Sequence, residues 1–302
     1  MVSIIVCTFR RNNLLETCIQ KIADAQPASH GVVEVVVVDN ACDKQTEALI
    51  QRKSETFPVD LVYHTEPKTG LSNARNTGAA AARGEWLFFL DDDGFIHADA
   101  LKEMNYMISL GKFDLFGGIY KGIFLTTPPK WLSPDFGTKM VKAHGPGPLG
   151  DDRIEGGIMV MKKRVWTDLG GFNSQLGMNA GQQGFGEETE FINRAIDRGY
   201  IPGIHPGFIM DHVVGEHKYS VWNQLDAYAA LGRDMARTGR KSTLSFYPTL
   251  LKTPLRFIKY VTWPLMKKNY YFENLIWDVL SPVFFVTGYR KGLKRKANAS
   301  QL

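Results

Sequence analysis

From Val32 to Val38 the chain reads Val-Val-Glu-Val-Val-Val-Val, a near-continuous β-branched run that suits a strand covered on both faces. Strands of that kind lie inside parallel sheets with helices on either side, and the neighbouring sequence supplies both. Val2 to Cys7 is an apolar strand, and Asn12 to Ala25 carries apolar residues at helical spacing. Thr46 to Phe57 reads as a helix, Asp60 to His64 as a short strand, and Leu71 to Arg83 as an Ala-rich helix. Trp86 to Leu90 predicts another buried strand, running directly into Asp91-Asp92-Asp93. This alternation predicts an α/β fold with a right-handed, mostly parallel, open Rossmann-like sheet flanked by helices. Ligands bind such sheets at the carboxyl ends of the strands.

Beyond residue 100 the pattern changes. Thr126 to Gly150 is rich in Pro and Gly and reads as loops or a flap. Gly156 to Met161 resumes as a strand, Lys163 to Leu169 is a short helix ending at Gly170-Gly171, and Glu187 to Arg198 is a helix closing at Gly199. From about Val221 the pattern is helical, with Pro248, Pro254, Pro264 and Pro282 dividing the remainder into short pieces.

Charge separates the tail from the rest. Of 36 Lys and Arg and 31 Asp and Glu, 10 basic and only two acidic residues fall between Leu251 and Leu302. The first 250 residues therefore carry a slight negative balance, which argues against a nucleic-acid surface there. In the tail, Phe257, Tyr260, Trp263, Tyr270, Tyr271, Phe272, Trp277, Phe284 and Phe285 interleave with Lys and Arg. That mixture suits a segment lying on an anionic membrane, or a helical subdomain packing its aromatics on a core. The uncharged run from Val279 to Tyr289 is 11 residues, short of the roughly 20 a span needs. Cys7, Cys18 and Cys42 are odd in number and lack metal-site spacing, and Arg10 and Arg11 interrupt the first apolar run. A reduced, cytoplasmic compartment fits both features.

Three constellations carry chemistry. Asp91-Asp92-Asp93 places adjacent carboxylates at a strand's carboxyl end, where like charges are costly unless neutralised. A hard divalent cation is one neutraliser; a solvated turn is the plainer reading. Gly184-Phe185-Gly186 delivers Glu187 and Glu188 to the start of a helix, either as dipole-matched caps or as a general base. His212 can complete a carboxylate-dominated metal site or serve the core. No Gly-x-Gly-x-x-Gly follows the first strand, and there is neither a phosphate loop nor a Gly-x-Ser-x-Gly elbow, which removes the standard dinucleotide, P-loop and serine-hydrolase readings.

In this order the motifs resemble the family 2 glycosyltransferases of GT-A fold. Val2 to Arg11 is similar to the family's opening strand and nucleotide-contacting turn, and Val36-Val37-Val38-Asp39-Asn40 to its second strand. Gly70-Leu71-Ser72-Asn73-Ala74-Arg75-Asn76-Thr77-Gly78 resembles its Gly-x-x-x-Ala-Arg-Asn-x-Gly helix start, and Asp91-Asp92-Asp93 its Asp-x-Asp motif. Gly156-Gly157, Gly170-Gly171-Phe172 and Gly186 to Glu190 are similar to its acceptor half.

The resemblance implies an inverting transferase that moves a sugar from a nucleotide-sugar donor, commonly a UDP-sugar, to a saccharide or lipid-linked saccharide. It implies Mn²⁺ or Mg²⁺ on Asp91, Asp93 and His212. Thr8, Phe9, Arg11, Asp39, Gly70, Asn73, Arg75, Asp91, Asp92 and Gly157 would bind the donor. Where many members have Glu-Asp this chain has Glu187-Glu188; alignment points to Glu188 as base and leaves Glu187 in contention. Residues 1–220 would form the catalytic domain, with donor binding in about 1–100 and acceptor binding in about 101–220. Residues 221–302 would form a helical, basic appendage at the inner face of the cytoplasmic membrane. A sugar nucleotidyltransferase is the rival enzyme, but Thr8-Phe9-Arg10-Arg11 has no glycine for its phosphate loop. A non-catalytic, membrane-associated nucleotide-sugar-binding protein is the rival outside enzymes.

Overall fold

The structure, a computed structural model, describes residues 1–179, 183–238, 260–263 and 267–299. It divides into two compact units: Met1–Ile123 with Gly137–Gln175 and Glu187–Val213, and Phe124–Phe136 with Leu176–Gly186 and Val214–Leu302.

The first unit holds a sheet with nine strands among the described residues. These are β1 (Val2–Thr8), β2 (Val32–Asp39), β3 (Asp60–Thr65), β4 (Trp86–Asp91), β5 (Gly94–Ile96), β6 (Leu115–Ile123), β7 (Gly147–Pro148), β8 (Ile158–Lys162) and β9 (Pro202–Val213). Their order is β3-β2-β1-β4-β8-β6-β9-β5, with β7 against β9. The first four strands are parallel, as their apolar runs predict. Beyond β4 the sheet becomes mixed: β8 runs antiparallel to both β4 and β6. Helices α1 (Asn12–Asp24), α2 (Lys44–Ser54), α3 (Leu71–Ala81), α4 (Ala100–Ser109), α5 (Lys163–Asp168) and α6 (Glu187–Asp197) flank it.

Glu34, the one acid in the valine run, is buried and accepts from Ser3 Oγ at 2.6 Å and Arg83 Nε at 2.8 Å. Those partners offset the cost of enclosing a charge in the sheet. Gly78 lets α3 lie close on β1, since a Cβ there would stand 2.4 Å from Ile5 Cγ2.

Strands β6 and β9 carry glycines and prolines that mask strand periodicity. Close packing needs the glycines: a Cβ on Gly118 would lie 1.8 Å from the Phe208 carbonyl oxygen, beside the register shift between Gly117 and Ile119, and one on Gly203 would lie 2.7 Å from the Phe113 ring. Residues 126–150 are irregular as predicted, apart from the two-residue β7.

The second unit contains α7 (Val221–Thr238) and α8 (Phe272–Ala299). Pro282 does not divide the chain here but sits inside α8. Proline inside a helix costs about 3 kcal/mol through its lost hydrogen bond and ring clash, and burial of Phe285, Val286 and Tyr289 works against that cost. Small residues bring the two helix backbones together: a Cβ on Gly288 would stand 1.8 Å from the Ala229 carbonyl oxygen. Pro248, Pro254, Pro264 and Phe257 lie outside the described residues.

Candidate active site

Strand β4 delivers the acidic triplet, and arginines supply positive charge to it. Asp92 turns inward, fully buried, accepting from Thr8 Oγ1 at 2.7 Å and facing Arg11 Nη2 at 2.9 Å. Burial pushes its carboxyl up to about 7, with Arg11 opposing and Asp93 and Asp91 adding. Asp93 takes Arg11 Nη1 at 2.6 Å. Asp91 takes Arg75 Nη2 at 3.2 Å on one oxygen and the Tyr120 hydroxyl at 3.1 Å on the other.

Arg75, projecting from α3, is 2 % exposed and also donates through Nη1 to Glu187 at 2.8 Å. It therefore ties the end of β4 to the first residue of α6. Several features of the chain make room for it. A Cβ on Gly157 would stand 2.1 Å from both Asp91 Oδ2 and the Tyr120 hydroxyl, and one on Gly156 would stand 2.8 Å from Arg75 Nη2. The guanidinium carbon lies 5.8 Å from the centre of the Phe172 ring. Asn76, one residue further along α3, fixes Phe172 by donating to its carbonyl at 2.8 Å and accepting from its N–H at 2.8 Å. The register Leu90↔Ile158 between β4 and β8 sets Gly157 beside Asp91.

Glu187 and Glu188 begin α6. Glu187 is 5 % exposed with Oε1 on Arg75, while its buried Oε2 has no hydrogen-bond partner. Glu188 is half-buried; its carboxyl is pushed well above the ordinary range by burial, then by the charge of Glu187, with Arg75 opposing. Glu155, which the motifs do not single out, joins this field. Its carboxyl is pushed up by burial, opposed by Lys139 and Arg153, and pushed further by Asp91 and Glu187. Its one signal in the sequence is its place immediately before Gly156-Gly157.

His212 reaches the site because β9 pairs antiparallel with β5, Gly94 opposite His212. Its Nε2 lies 3.6 Å from Asp93 Oδ1, and its ring stacks on Tyr120 with centres 5.0 Å apart. Of the three residues expected to ligate metal, Asp93 and His212 are brought together, while Asp91 is held by Arg75 and Tyr120. Among the described residues no cluster of three or more His, Cys, Asp or Glu side chains converges as a metal site. One carboxylate and one imidazole are donors that a manganese-type ion would accept.

On the expected nucleotide side, Asp39 is fully buried and committed to its own turn. It accepts from the N–H groups of Ala41 at 2.8 Å and Asp43 at 2.6 Å, and from the Tyr63 hydroxyl at 2.9 Å. Asn40 shapes the adjoining loop, donating to the carbonyls of Glu66 and Lys68 and accepting from Gly70 N–H at 2.7 Å. Gly70, at φ 131°, starts α3, and Asn73 bonds back to the Thr69 carbonyl at 3.0 Å. Phe9, half-buried, lies under the guanidinium of Arg10. Cys7 and Cys18 are buried free thiols beneath the site, Cys7 pushed up to about 12 by burial; neither is an activated nucleophile.

A parallel α/β half, an acidic triplet at the end of β4 and a facing pair of glutamates define a GT-A transferase scaffold. The glycosyl transferase family 2 model matches residues 3–166, more than half of the chain, and the chain belongs to that family. It is 30% identical over 133 residues to the succinoglycan biosynthesis protein ExoM of Rhizobium meliloti, covering 43% of this chain and 42% of that protein. It is 29% identical over 116 residues to the GalNAc(5)-diNAcBac-PP-undecaprenol beta-1,3-glucosyltransferase of Campylobacter jejuni, covering 38% and 37%. The matched region thus spans less than half the length of either relative.

Among solved structures, the mannosyltransferase PcManGT from Pyrobaculum calidifontis, in complex with GDP-Man and Mn²⁺, superposes with TM-score 0.58 at 16% identity, over 99% of this chain and 75% of that one. S. aureus TarS in complex with UDP gives TM-score 0.55 at 15% identity, over 99% and 91%. At these identities the likeness shows the fold.

Removing Arg75 strands two carboxylates. Arg75→Met is expected to destabilise the protein by about 3–5 kcal/mol, the usual cost of an uncompensated buried charge. The double variant R75M/E187M recovers part of that loss, because the second change removes one orphaned partner. Urea unfolding of the wild type, both single variants and the double variant measures the coupling; strictly additive losses would contradict it.

Proposed function

We propose that this chain is an inverting, divalent-metal-dependent glycosyltransferase. It moves a hexosyl group from a UDP-sugar to a hydroxyl of a saccharide or lipid-linked saccharide. The observation that carries the reading is the Arg75 bridge, which ties Asp91 at the donor-side strand end to Glu187 at the acceptor-side helix. Residues up to about 100 would bind the donor and residues 101–220 the acceptor.

Asp93 and His212 are the residues that would hold the cation, which when bound supplies positive charge to the donor's diphosphate. Glu188 takes the proton of the acceptor hydroxyl. The acceptor oxygen bonds to the anomeric carbon as the bond from that carbon to the diphosphate breaks, and the nucleoside diphosphate leaves with the electron pair. Attack from the face opposite the leaving group inverts the configuration. Of the two glutamates, Glu187 is tied to a guanidinium, whereas Glu188 has its proton affinity raised by burial and by its neighbour. A base poised nearer working pH is the better catalyst.

Nucleoside diphosphate release from UDP-glucose, UDP-N-acetylglucosamine and GDP-mannose, with and without Mn²⁺, tests the class. Glu188→Gln is expected to lose roughly 10²–10⁴-fold in rate while binding donor normally. The base must be ionised to act, so the rate falls as pH drops through its raised pKa. The acid limb of the wild type therefore lies above the ordinary carboxylate range. Glu187→Gln removes the neighbouring charge and should move that limb to lower pH. Near-normal turnover by E188Q alongside an inactive E187Q would reverse the assignment.

Asp93→Asn keeps the size and removes the charge. Calorimetry should show UDP binding that no longer responds to Mn²⁺, with the unfolding midpoint little changed. Undiminished Mn²⁺-stimulated binding would remove Asp93 from the cation's ligands.

The tail from residue 221 is proposed to rest on an anionic membrane at the cytoplasmic face, where surface-polysaccharide assembly would present a lipid-linked acceptor. Among the described residues no helix is long and apolar enough to cross a membrane. Phe285 and Tyr289 pack against α7, so part of the aromatic content serves the helix pair. Phe272 and Trp222 remain exposed, as do Arg290, Lys291 and Lys294. Each basic residue near such a surface contributes about 1 kcal/mol, screened by salt over roughly a Debye length. Co-sedimentation should require anionic vesicles, weaken with salt and drop in K291E/K294E. A protein that ignores anionic vesicles at low salt would make the tail a helical cap alone.

A further inference from the structure

Tyr120 touches two residues of the candidate site at once, and no motif in the sequence singles it out. It lies on β6, 7 % exposed. Its hydroxyl donates to Asp91 Oδ2 at 3.1 Å, and its ring stacks on the His212 imidazole with the planes inclined by 23°. That imidazole turns Nε2 toward Asp93 Oδ1 at 3.6 Å. One side chain thus links the first carboxylate of the triplet to the histidine that faces the third. All four residues belong to the first compact unit.

The sheet fixes where Tyr120 stands. Strands β6 and β9 run parallel, with Tyr120 opposite Met210 and Gly122 opposite His212. Alternation along a strand puts Tyr120 and His212 on the same face. Gly122 has no side chain to fill the space beside the imidazole, and the Tyr120 ring lies against it instead. The main chain is held as well. Lys139 N–H donates to the Tyr120 carbonyl at 2.8 Å, Gly122 N–H to Thr138 Oγ1 at 3.0 Å, and Val213 N–H to the Asp93 carbonyl at 2.9 Å. Around the hydroxyl the chain keeps a niche open, since a Cβ on Gly157 would stand 2.1 Å from it.

Core packing accounts for a buried aromatic ring. It does not account for a hydroxyl seated on a carboxylate at one end and an imidazole lying against the face. The torsion that turns an imidazole about its Cβ–Cγ bond has broad, shallow wells, and a ring stacked on it removes that freedom. Groups behind the ligands of a metal set ligand orientation in this way, and losing one typically costs roughly 10–100-fold in metal affinity.

We propose that Tyr120 is a positioning residue for the cation: its ring fixes the turn of the His212 imidazole toward Asp93, and its hydroxyl anchors that ring on Asp91. This rests on the reading of Asp93 and His212 given above.

The test uses the full chain, with UDP as the nucleotide and MnCl₂ as the metal. Tyr120→Phe keeps the ring and Tyr120→Leu removes it. Tyr120→Met is the second ringless variant should Y120L fail to fold. Proton NMR of the metal-free protein reads the stack directly. The His212 ring signals, assigned by their absence in His212→Gln, should be shifted upfield by the Tyr120 ring in the wild type and Y120F, and lose that shift in Y120L. Calorimetry then follows UDP binding as Mn²⁺ is raised. Y120L is expected to need roughly 10–100-fold more Mn²⁺ for the same gain in UDP affinity, with metal-free UDP binding within about twofold of wild type. Y120F, which keeps the ring and loses only its anchor, should lose less.

A Y120L that needs less than about tenfold more Mn²⁺, a Y120F that loses as much as Y120L, or metal-free UDP binding that falls in step would overturn the proposal. So would His212 signals that Y120L leaves unmoved. The wild type separates the two ideas. UDP binding that ignores Mn²⁺ removes the cation reading and the proposal with it. A wild type that responds, beside a Y120L that responds equally, removes only the positioning role.

Discussion

A guanidinium with 2 % exposure cannot be left unpaired, and the site is arranged around that constraint on Arg75. Desolvating it is repaid only when carboxylates approach closely and with good geometry. Asp91 and Glu187 meet that need from residues 16 and 112 positions away. The glycine pair at 156–157 exists because any side chain there would occupy the space of Arg75, Asp91 or Tyr120. Phe172 closes the remaining face and is pinned by Asn76 of the same helix. Four separated motifs therefore form one packing problem, centred on a cation that belongs to the protein.

The same reasoning alters how the acidic triplet is understood. Three adjacent carboxylates require positive charge, and a metal ion is only one source of it. Here Arg11 serves Asp92 and Asp93, and Arg75 serves Asp91. The two arginines differ in burial, Arg11 being 46% exposed at its side chain and Arg75 3%. The buried one fixes a structural distance. The exposed one faces solvent on its free side while it neutralises two carboxylates at once.

The parallel half of the fold was legible because its strands are apolar runs, buried as the Val32–Val38 stretch predicts. Its helices could be read from the same stretch of chain. The mixed half was opaque for a physical reason. In β6 and β9 the glycines are demanded by close neighbours, a main-chain oxygen at Gly118 and side chains at Gly117 and Gly203, and they erase the alternation that marks a strand. Losing β9 also hid why His212 meets Asp93, since that meeting depends on the β5–β9 register. Pro282 misled because helix breaking is a local rule, whereas α8 is held by burial against α7. The neutralising arginines were named from the sequence only as ligand-binding residues; their partners lie 82 and 112 positions away, beyond what spacing can reveal.

The two glutamates at the start of α6 show how opposed effects are resolved. A helix N-terminus favours the ionised form of an acidic side chain, by roughly 0.3–1 kcal/mol at exposed sites. Burial and mutual repulsion favour the protonated form, and these dominate at Glu188. Arg75 breaks the symmetry by binding Glu187 and leaving Glu188 with its neighbour's charge close by. One carboxylate is held by a guanidinium, and the other has its proton affinity raised. That division follows from which of the two carboxylates the guanidinium reaches.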